Sequence, residues 1–552
     1  MTATEGSKQE LSVLVVKKEV EEAEEDEDSH PMTKKQRTSC SPLQDAIETY
    51  IVRMPALVKR QLFAYTQEAH DKYSTDGDWT VAVASGCSGT DIGMICAQLV
   101  VDHICRKLDI HMGVTHVFSC ENDDEKRRFL QSQFHLHRLF ADVQNLGRRE
   151  AFDFISGKMA CPPPCTLFMV GFSCKSRSSL SKHAKTNLGC LQNRDASTET
   201  SSTFQGVFAY ISKTLPATIL LENVPGLAQK TSATAMSDAE WVLSELESLG
   251  YIARMFQFDA ADYGSPASRE RIYFAAWLVA PGKDLSKVVD ARSRSKLNDI
   301  LGWMDQLMQC CCIDALPVDE FLDLRAEPRC AVDVVSECTP AHGEGPSAKV
   351  WEEEHCDAFR ARGMKWPAAI KDVAPNTAFM GKTLSDRQAE LLYYIHTVFP
   401  FSRSAPIEFC DVNHSMGRLL GPEERSPWKK VAPCLTSKSV ICMRYWQKDQ
   451  VITRPLTGVE SLALVGWDSA FYRGGSAGVS ESCLRSLAGN AFSAFAVAPM
   501  LLVVFSGIGL LKAHSSDLDL ILAGLEGLPG GAQTCSAGSA GGTDAESESE
   551  AE

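Results

Sequence analysis

The sequence predicts an α/β protein: a Rossmann-like, doubly wound, mostly parallel sheet carrying a smaller irregular domain. Three observations lead there. From Trp79 to about Val279, short apolar runs alternate with helix-like stretches, as in a parallel sheet with helical crossovers. The first run, "WTVAVASGCSG" (79–89), passes into a glycine loop. The following runs each end on a residue able to do chemistry: "VTHVFSCEND" (114–123) at Glu121, "LFADV" (139–143) at Asp142, "TLFMVGFSC" (166–174) at Cys174, and "ATILLENVPG" (217–226) at Glu222 and Asn223. Ligands of such sheets bind beyond the carboxyl ends of the strands, so these residues are expected to share one edge.

Taken in order, residues 1–42 are polar, acidic and poor in aromatics, the composition of a disordered tail. Residues 43–78 have helical periodicity with a break at Pro55. The sheet domain is expected over 79–280, with helices in "DEKRRFLQSQFHL" and "DAEWVLSELESLG". Over 281–450 Cys, Pro and Trp scatter among charged patches without a clear period. A second apolar, helix-like part covers 451–525, and 526–552 reads as another acidic tail.

Composition narrows the function classes. Asp and Glu number 71 against 55 Lys and Arg, a net −16, but "EVEEAEEDED" (19–28) and "TDAESESEAE" (543–552) hold eight and five of those acids. Whole-chain charge therefore does not exclude nucleic acid, and the acidic tails are candidate contacts for protein partners. The 20 cysteines lack the spacing of a disulfide framework or a zinc site, which favours reduced thiols and no metal. The opening "MTATEGSKQELS" has no apolar signal segment, and "KKQR" (34–37) is a short basic patch, so a nuclear location is expected. The run Ala494–Leu511 is long enough for a membrane span. Pro499, Ser506, Gly507 and Gly509 interrupt it, which predicts a buried helix followed by a turn and no membrane partner.

Each feature also has a plain structural reading. "SGCSG" does not match the dinucleotide pattern GxGxxG, a Glu at a helix start caps helices, and a strand-end Cys is often core packing. The ordered set is what chance does not supply.

In that order the chain resembles the C5-cytosine methyltransferases, which use S-adenosylmethionine to methylate carbon 5 of cytosine, mostly in DNA. "ASGCSG" (84–89) resembles their cofactor loop, and "GFSCKSRS" (171–178) stands where the family has Gly-Phe-Pro-Cys-Gln-Pro-Phe-Ser. "ENV" (222–224) is identical to the family's Glu-Asn-Val, and "DYGSPASRER" (262–271) is similar to Tyr-Gly-x-Pro-Gln-x-Arg-x-Arg. "RPLTGVESLALVGW" (454–467) and "LAGNAFSAFAVAPML" (487–501) resemble the last two motifs. Departures are Ala84 for an aromatic, Ser173 for the proline before the nucleophile, Lys175 for the glutamine after it, and Ala267 for the first glutamine of the arginine motif.

The resemblance implies a class I methyltransferase fold and an S-adenosylmethionine site formed by Ser85, Gly86, Gly89, Glu121, Asn122, Asp142, Val143 and Asn490. It implies catalysis by Cys174, Glu222, Arg269 and Arg271 on a cytosine flipped out of the stack. Cys174 would add to C6, and Glu222, kept protonated by burial, would serve N3. Arg269 would hold the cytosine oxygen, and Arg271 would brace the loop. Lys175, Arg177, Lys182 and Lys185 would either raise the thiolate fraction of Cys174 or face phosphates. The stretch 175–203 is the expected closing loop or an inert polar excursion. The region 281–450 would read DNA through the basic-aromatic patches "RARGMKWPAAIK" (360–371) and "SPWKKVAPCLTSKSVICMRYWQK" (426–448). Alternatives left open are a transfer-RNA cytosine-5 methyltransferase, and a catalytically weak methyltransferase-like module binding DNA or a protein.

Overall fold

The computed structural model describes residues 41–75, 78–178, 190–192, 198–230, 236–285, 291–322, 346–366, 377–379, 384–404, 407–420, 425–447, 449–467 and 479–523. Both acidic runs, the "KKQR" patch, Lys182, Lys185 and much of the 175–203 stretch lie outside these residues.

The described chain opens with α1 (Pro42–Arg53) and α2 (Ala56–Tyr73), separated at Pro55 as the sequence predicts. Ser41 and Gln44 form a reciprocal capping box at the start of α1. There follow β1 (Asp78–Gly86), α3 (Ile92–Leu108), β2 (His111–Cys120), α4 (Asp124–Gln133), β3 (Leu139–Phe140), β4 (Ala151–Asp153), β5 (Lys158–Ala160) and β6 (Leu167–Gly171). Next come α5 (Glu199–Thr214), β7 (Thr218–Asn223), α6 (Asp238–Ser248), β8 (Tyr251–Asp259), β9 (Glu270–Leu278) and α7 (Ala291–Cys310). The remaining elements are α8 (Pro346–Ala361), β10 (Thr377–Phe379), α9 (Asp386–Val398), β11 (Ile407–Asp411), α10 (Met416–Leu420), β12 (Ile441–Gln447), β13 (Gln450–Pro455), α11 (Gly458–Leu464), α12 (Glu481–Asn490), α13 (Ala494–Ala513) and α14 (Ser515–Ala523).

Nine strands form the main sheet in the order β5-β4-β3-β2-β1-β6-β7-β9-β8. The pairs from β3 through β7 are parallel, while β9 runs antiparallel to both β7 and β8. The sheet is therefore mixed around a parallel centre. Every residue of β7 is buried, as expected of a central strand covered on both faces. One of the two main cores lies against each face, with α13 in the larger.

The helix α13 explains the apolar run that is long enough to cross a membrane. Residues Ala494–Leu511 are all buried within the protein. The residues that interrupt it in sequence have packing reasons. Pro499 supplies no N–H to Phe495 O, and the Tyr50 hydroxyl lies 3.4 Å from that oxygen while also donating to Tyr263 O at 2.6 Å. A side chain at Gly507 would strike the Trp277 ring, and one at Gly509 the backbone of Tyr65. Trp277 also donates from Nε1 to Val504 O at 2.9 Å. Each fully buried Leu, Val or Phe here contributes about 1.5–3 kcal/mol, so the helix is a main source of stability.

The stretch 281–450 is more regular than its sequence suggests, and its expected limits move. A second sheet runs β10-β13-β12-β11. Its strand β13 pairs with β12 from Cys442↔Pro455 to Gln447↔Gln450, so a boundary at 450 cuts a hairpin. At the other end, α7 packs into the main core through Leu297, Leu301, Met304 and Leu307, so a boundary at 280 removes part of the sheet domain.

Candidate active site

Strands β1, β2, β3, β6 and β7 bring their carboxyl ends to one edge. Between β1 and β6 the strand order reverses, because β2 lies on the other side of β1. A ligand crevice is expected at such a point.

On the β1–β3 side, β1 ends at Gly86, and Cys87 and Gly89 have φ of 51° and 54° in the loop that follows. The loop is tied to β2. Gly89 N–H donates to Glu121 Oε2 at 2.9 Å, and Asp123 N–H donates to Oε1 at 3.1 Å. Ser88 Oγ accepts from Cys120 N–H at 2.9 Å and lies 2.6 Å from Ser85 Oγ. Glu121 is thus buried and held by backbone, while Asn122 is exposed. Asp142 caps the turn Val143–Asn145 by accepting from Gln144 N–H at 2.9 Å, and Val143 is buried beside it. Each oxygen of Glu121 keeps a second lone pair, so two carboxylates beside a left-handed loop suit the hydroxyls and amine of an adenosine. The donor set fits S-adenosylmethionine. Asn490 is exposed and pairs with Ser486 Oγ at 3.4 Å.

On the β6–β7 side, Gly171 pairs with Glu222 in the parallel register, which sets the Cys174 loop beside the Glu222 carboxylate. Asn223 secures that loop by donating from Nδ2 to Phe172 O at 3.0 Å. Cys174 closes a tight turn, its carbonyl accepting from Arg177 N–H at 2.9 Å and Ser178 N–H at 2.8 Å. Burial and Glu222 push the Cys174 thiol above its ordinary value, while Arg271 and Arg269 pull it back.

The two arginines, of which the resemblance gives Arg269 the cytosine oxygen and Arg271 the loop, meet Glu222 differently. Arg271 Nε lies 2.9 Å from Glu222 Oε1, whereas Arg269 Nη2 is 3.9 Å from it. Arg269 instead donates from Nη1 to Leu435 O at 3.3 Å and Gly489 O at 3.2 Å, and its own N–H donates to Asp259 Oδ1 at 2.7 Å. Arg269 is the brace, joining the second sheet's connecting segment to the end of α12. Burial and Arg271 lower its proton affinity. Burial also opposes the charge on Arg271, but Glu222 together with Cys434, Cys174 and Tyr273 outweighs it and raises its proton affinity. Glu222 Oε1 is thus held by its ion contact with Arg271, while Arg269 Nε is buried without a hydrogen-bond partner among the described residues.

The positive residues beside Cys174 are otherwise engaged. Lys175 Nζ lies 2.8 Å from Glu199 Oε1, and buried Arg177 Nε lies 3.3 Å from buried Asp238. Among the described residues, the charges that pull the thiol back are those of Arg271 and Arg269. Ala267 is buried, and its segment pairs with the second sheet's connecting segment through Ala432 N–H to Pro266 O at 2.9 Å.

Several expected nucleic-acid contacts are packing residues. Arg444 is buried against the Trp428 ring at 4.2 Å and pairs with Glu408 at 2.6 Å. Trp366 donates to Glu390 at 3.0 Å. Lys429, Lys430 and Lys438 are exposed.

Sequence reading missed Glu199, Asp238, Asp259 and Phe492. Glu199 and Asp238 are visible only as first-turn helix acids, because their partners lie tens of residues away. A side chain at Gly171 would meet both the Phe492 ring and Glu222, so Phe492 lies beside the Glu222 carboxylate.

Residues 81–309 match the family model described as C-5 cytosine-specific DNA methylase. Over 196 residues the chain is 26 % identical to the DNA (cytosine-5-)-methyltransferase DMT5 of Cryptococcus neoformans var. grubii, covering 35 % of this chain and 7 % of that protein. Over 70 residues it is 37 % identical to the type II methyltransferase M.Sau3AI of Staphylococcus aureus, 13 % of this chain and 17 % of that protein. The matches thus span less than a fifth of either relative. The crystal structure of the S. pombe Dnmt2 methyltransferase aligns with a TM-score of 0.38 at 13 % identity, covering 79 % of this chain and 99 % of that one. The fold class rests on the strand order itself and not on that likeness. Residues 81–309 thus form a segment of this chain that is similar to the C-5 cytosine-specific DNA methylase family.

Proposed function

We propose that the protein transfers a methyl group from S-adenosylmethionine to C5 of a flipped-out cytosine in DNA, through a covalent bond between Cys174 and C6. The observation that carries this reading is the register of β6 and β7, which sets the Cys174 loop beside Glu222, with Arg271 at 2.9 Å from that carboxylate. The bound cofactor supplies an electrophilic methyl group, and the glycine loop, Glu121 and Asp142 hold it.

Cytosine C5 is too weak a nucleophile until C6 is attacked. Cys174 gives its proton to water, its sulfur bonds to C6, and the electron pair of the C5–C6 double bond moves onto the ring. Glu222 relieves that charge at N3 by hydrogen bonding or proton transfer, and Arg271 offsets it at the exocyclic carbonyl oxygen on C2. This gives Arg271 the role that sequence reading gave Arg269. After C5 gains its methyl, loss of the C5 proton expels the Cys174 thiolate and restores the aromatic ring. Exposed Lys429, Lys430 and Lys438 are the candidate phosphate contacts, and the nuclear location proposed with this reading rests on the "KKQR" patch at 34–37.

The test is duplex DNA carrying 5-fluorocytosine, mixed with protein and cofactor. Fluorine blocks the last elimination, so a denaturation-resistant adduct forms and disappears in Cys174→Ser. An adduct on RNA alone overturns the DNA assignment. No adduct on either, with cofactor bound, makes the chain a binding module.

A further inference from the structure

We propose that Glu199 is a positioning residue for Cys174, and that the first turn of α5 is a clamp replacing the rigidity of the absent proline. The proposal rests on Cys174 being the reacting thiol. Proline before the nucleophile would fix its φ, and Ser173 does not. The structure supplies the missing restraint from outside the loop. Ser173 Oγ donates to Glu199 Oε1 at 3.2 Å, and Lys175 Nζ donates to Glu199 Oε2 at 2.9 Å. One residue further, Ser176 N–H donates to the Thr200 hydroxyl at 3.1 Å, and Thr200 is fully buried. Both sides of Cys174 are thus fastened to consecutive residues of one helical turn.

The plain alternative is an ordinary surface ion pair. Lys175 is 74 % exposed and Glu199 is 45 % exposed, so their charge attraction alone stabilises little. Three points distinguish the clamp. The same carboxylate accepts from both residues that flank the cysteine. The neighbouring contact, Ser176 to Thr200, is buried. Thr198 caps α5 by accepting from Ser201 N–H at 3.3 Å, so the gripping turn is itself fixed. The residues at the family's proline and glutamine are the two that reach Glu199. The two departures and the acid thus form one unit, in which Lys175 serves geometry instead of thiol acidity.

The test uses the full chain with Glu199→Ala, Glu199→Gln, Ser173→Pro and the double variant Glu199→Ala/Ser173→Pro. Amide hydrogen exchange is followed on a peptide covering 172–178, and covalent trapping on 5-fluorocytosine DNA gives a rate. Losing one or two modest hydrogen bonds should raise exchange at Lys175 and Ser176 about fivefold in Glu199→Ala. Trapping should slow about tenfold, and Glu199→Gln, which keeps an acceptor for Ser173, should fall between. Adding Ser173→Pro should return exchange and trapping to within about twofold of the starting protein. A simple loss of α5 stability would not be rescued by a proline 26 positions away. Unchanged exchange in Glu199→Ala, or failure of Ser173→Pro to restore it, overturns the clamp. If the unaltered protein traps no nucleic acid, the methyltransferase reading fails, and exchange alone still decides the clamp. Should Glu199→Ala not fold, Glu199→Gln with and without Ser173→Pro carries the same comparison.

Discussion

Substituting alanine for glycine in a helix has opposite expected effects at two positions of this protein. In α7, a Cβ on Gly302 meets nothing within 4 Å. There the lower backbone entropy of the unfolded alanine chain dominates, and Gly302→Ala should stabilise by about 0.5–1 kcal/mol. In α5, a Cβ on Gly206 would lie 2.5 Å from Gln144 Cα, 2.8 Å from Gln144 N and 2.8 Å from Val143 O. All three are backbone atoms, so no side chain can swing aside, and α5 must move by about 1 Å to restore a normal contact of about 3.5 Å. Overpacking of this kind costs about 1–3 kcal/mol, which exceeds the helix-propensity gain, so Gly206→Ala should be net destabilising by about 1–2 kcal/mol. The displaced turn begins at Asp142 and Val143, so cofactor affinity should drop roughly tenfold there and not in Gly302→Ala. Urea midpoints with a fixed slope, together with calorimetric titration of S-adenosylmethionine, measure both effects. A Gly206→Ala protein as stable as the original, binding cofactor equally, would refute the claim that α5 is wedged against the cofactor turn.

Other outcomes follow from the same contacts. Arg271→Lys should lower the trapping rate about 100-fold or more with little change in urea midpoint, because a preorganised fork facing developing charge is lost. Arg269→Lys should instead cost about 1–3 kcal/mol of stability, since Leu435 O and Gly489 O lose a buried donor. His396 is buried, which with Arg444 nearby lowers its pKa to about 4. The unfolded chain takes up that proton first, so stability should be full above about pH 6.5 and fall by roughly 3 kcal/mol towards pH 4. His396→Phe should flatten that slope in pH-dependent unfolding. Glu460, despite burial, has its pKa lowered by Arg454, to which it pairs at 2.6 Å. The stabilisation from that pair should be complete above about pH 4.3 and fade as acid protonates the folded carboxylate. Arg454→Met should therefore differ from the original protein less at pH 3 than at pH 7.

The parts of the fold legible in sequence were those governed by local rules. Parallel central strands are continuous apolar runs, so β1, β2, β6 and β7 appeared within a few residues of their true ends. Pro55 marked the break between α1 and α2 because proline cannot continue a helix. The second sheet was hidden for a physical reason. Its strands pair residues far apart in the chain, such as Thr377↔Val451, and its core mixes Cys, Trp and a buried Arg444 instead of alternating cleanly. Which arginine contacts Glu222 was also beyond reach. Arg269 and Arg271 lie two apart on or beside one strand, and which faces Glu222 depends on where Leu435 and Gly489 offer carbonyls.

The departures around Cys174 looked independent in sequence, yet each has a partner in the structure. Ser173 and Lys175 meet Glu199, while Arg177, at the family's aromatic position, meets Asp238 and donates to Gly226 O at 2.5 Å. A buried ion pair gains little over an apolar contact of similar size, whereas removing one member is costly. Asp238 also accepts from Leu191 N–H at 3.2 Å, so the same carboxylate holds chain from both sides of the stretch between Arg177 and Leu191. Reverting a single position towards the family pattern would therefore break a pair and leave its partner unmatched. Arg177→Phe should be destabilising alone and milder with Asp238→Ala, because the buried carboxylate, and not the lost arginine, sets most of the cost.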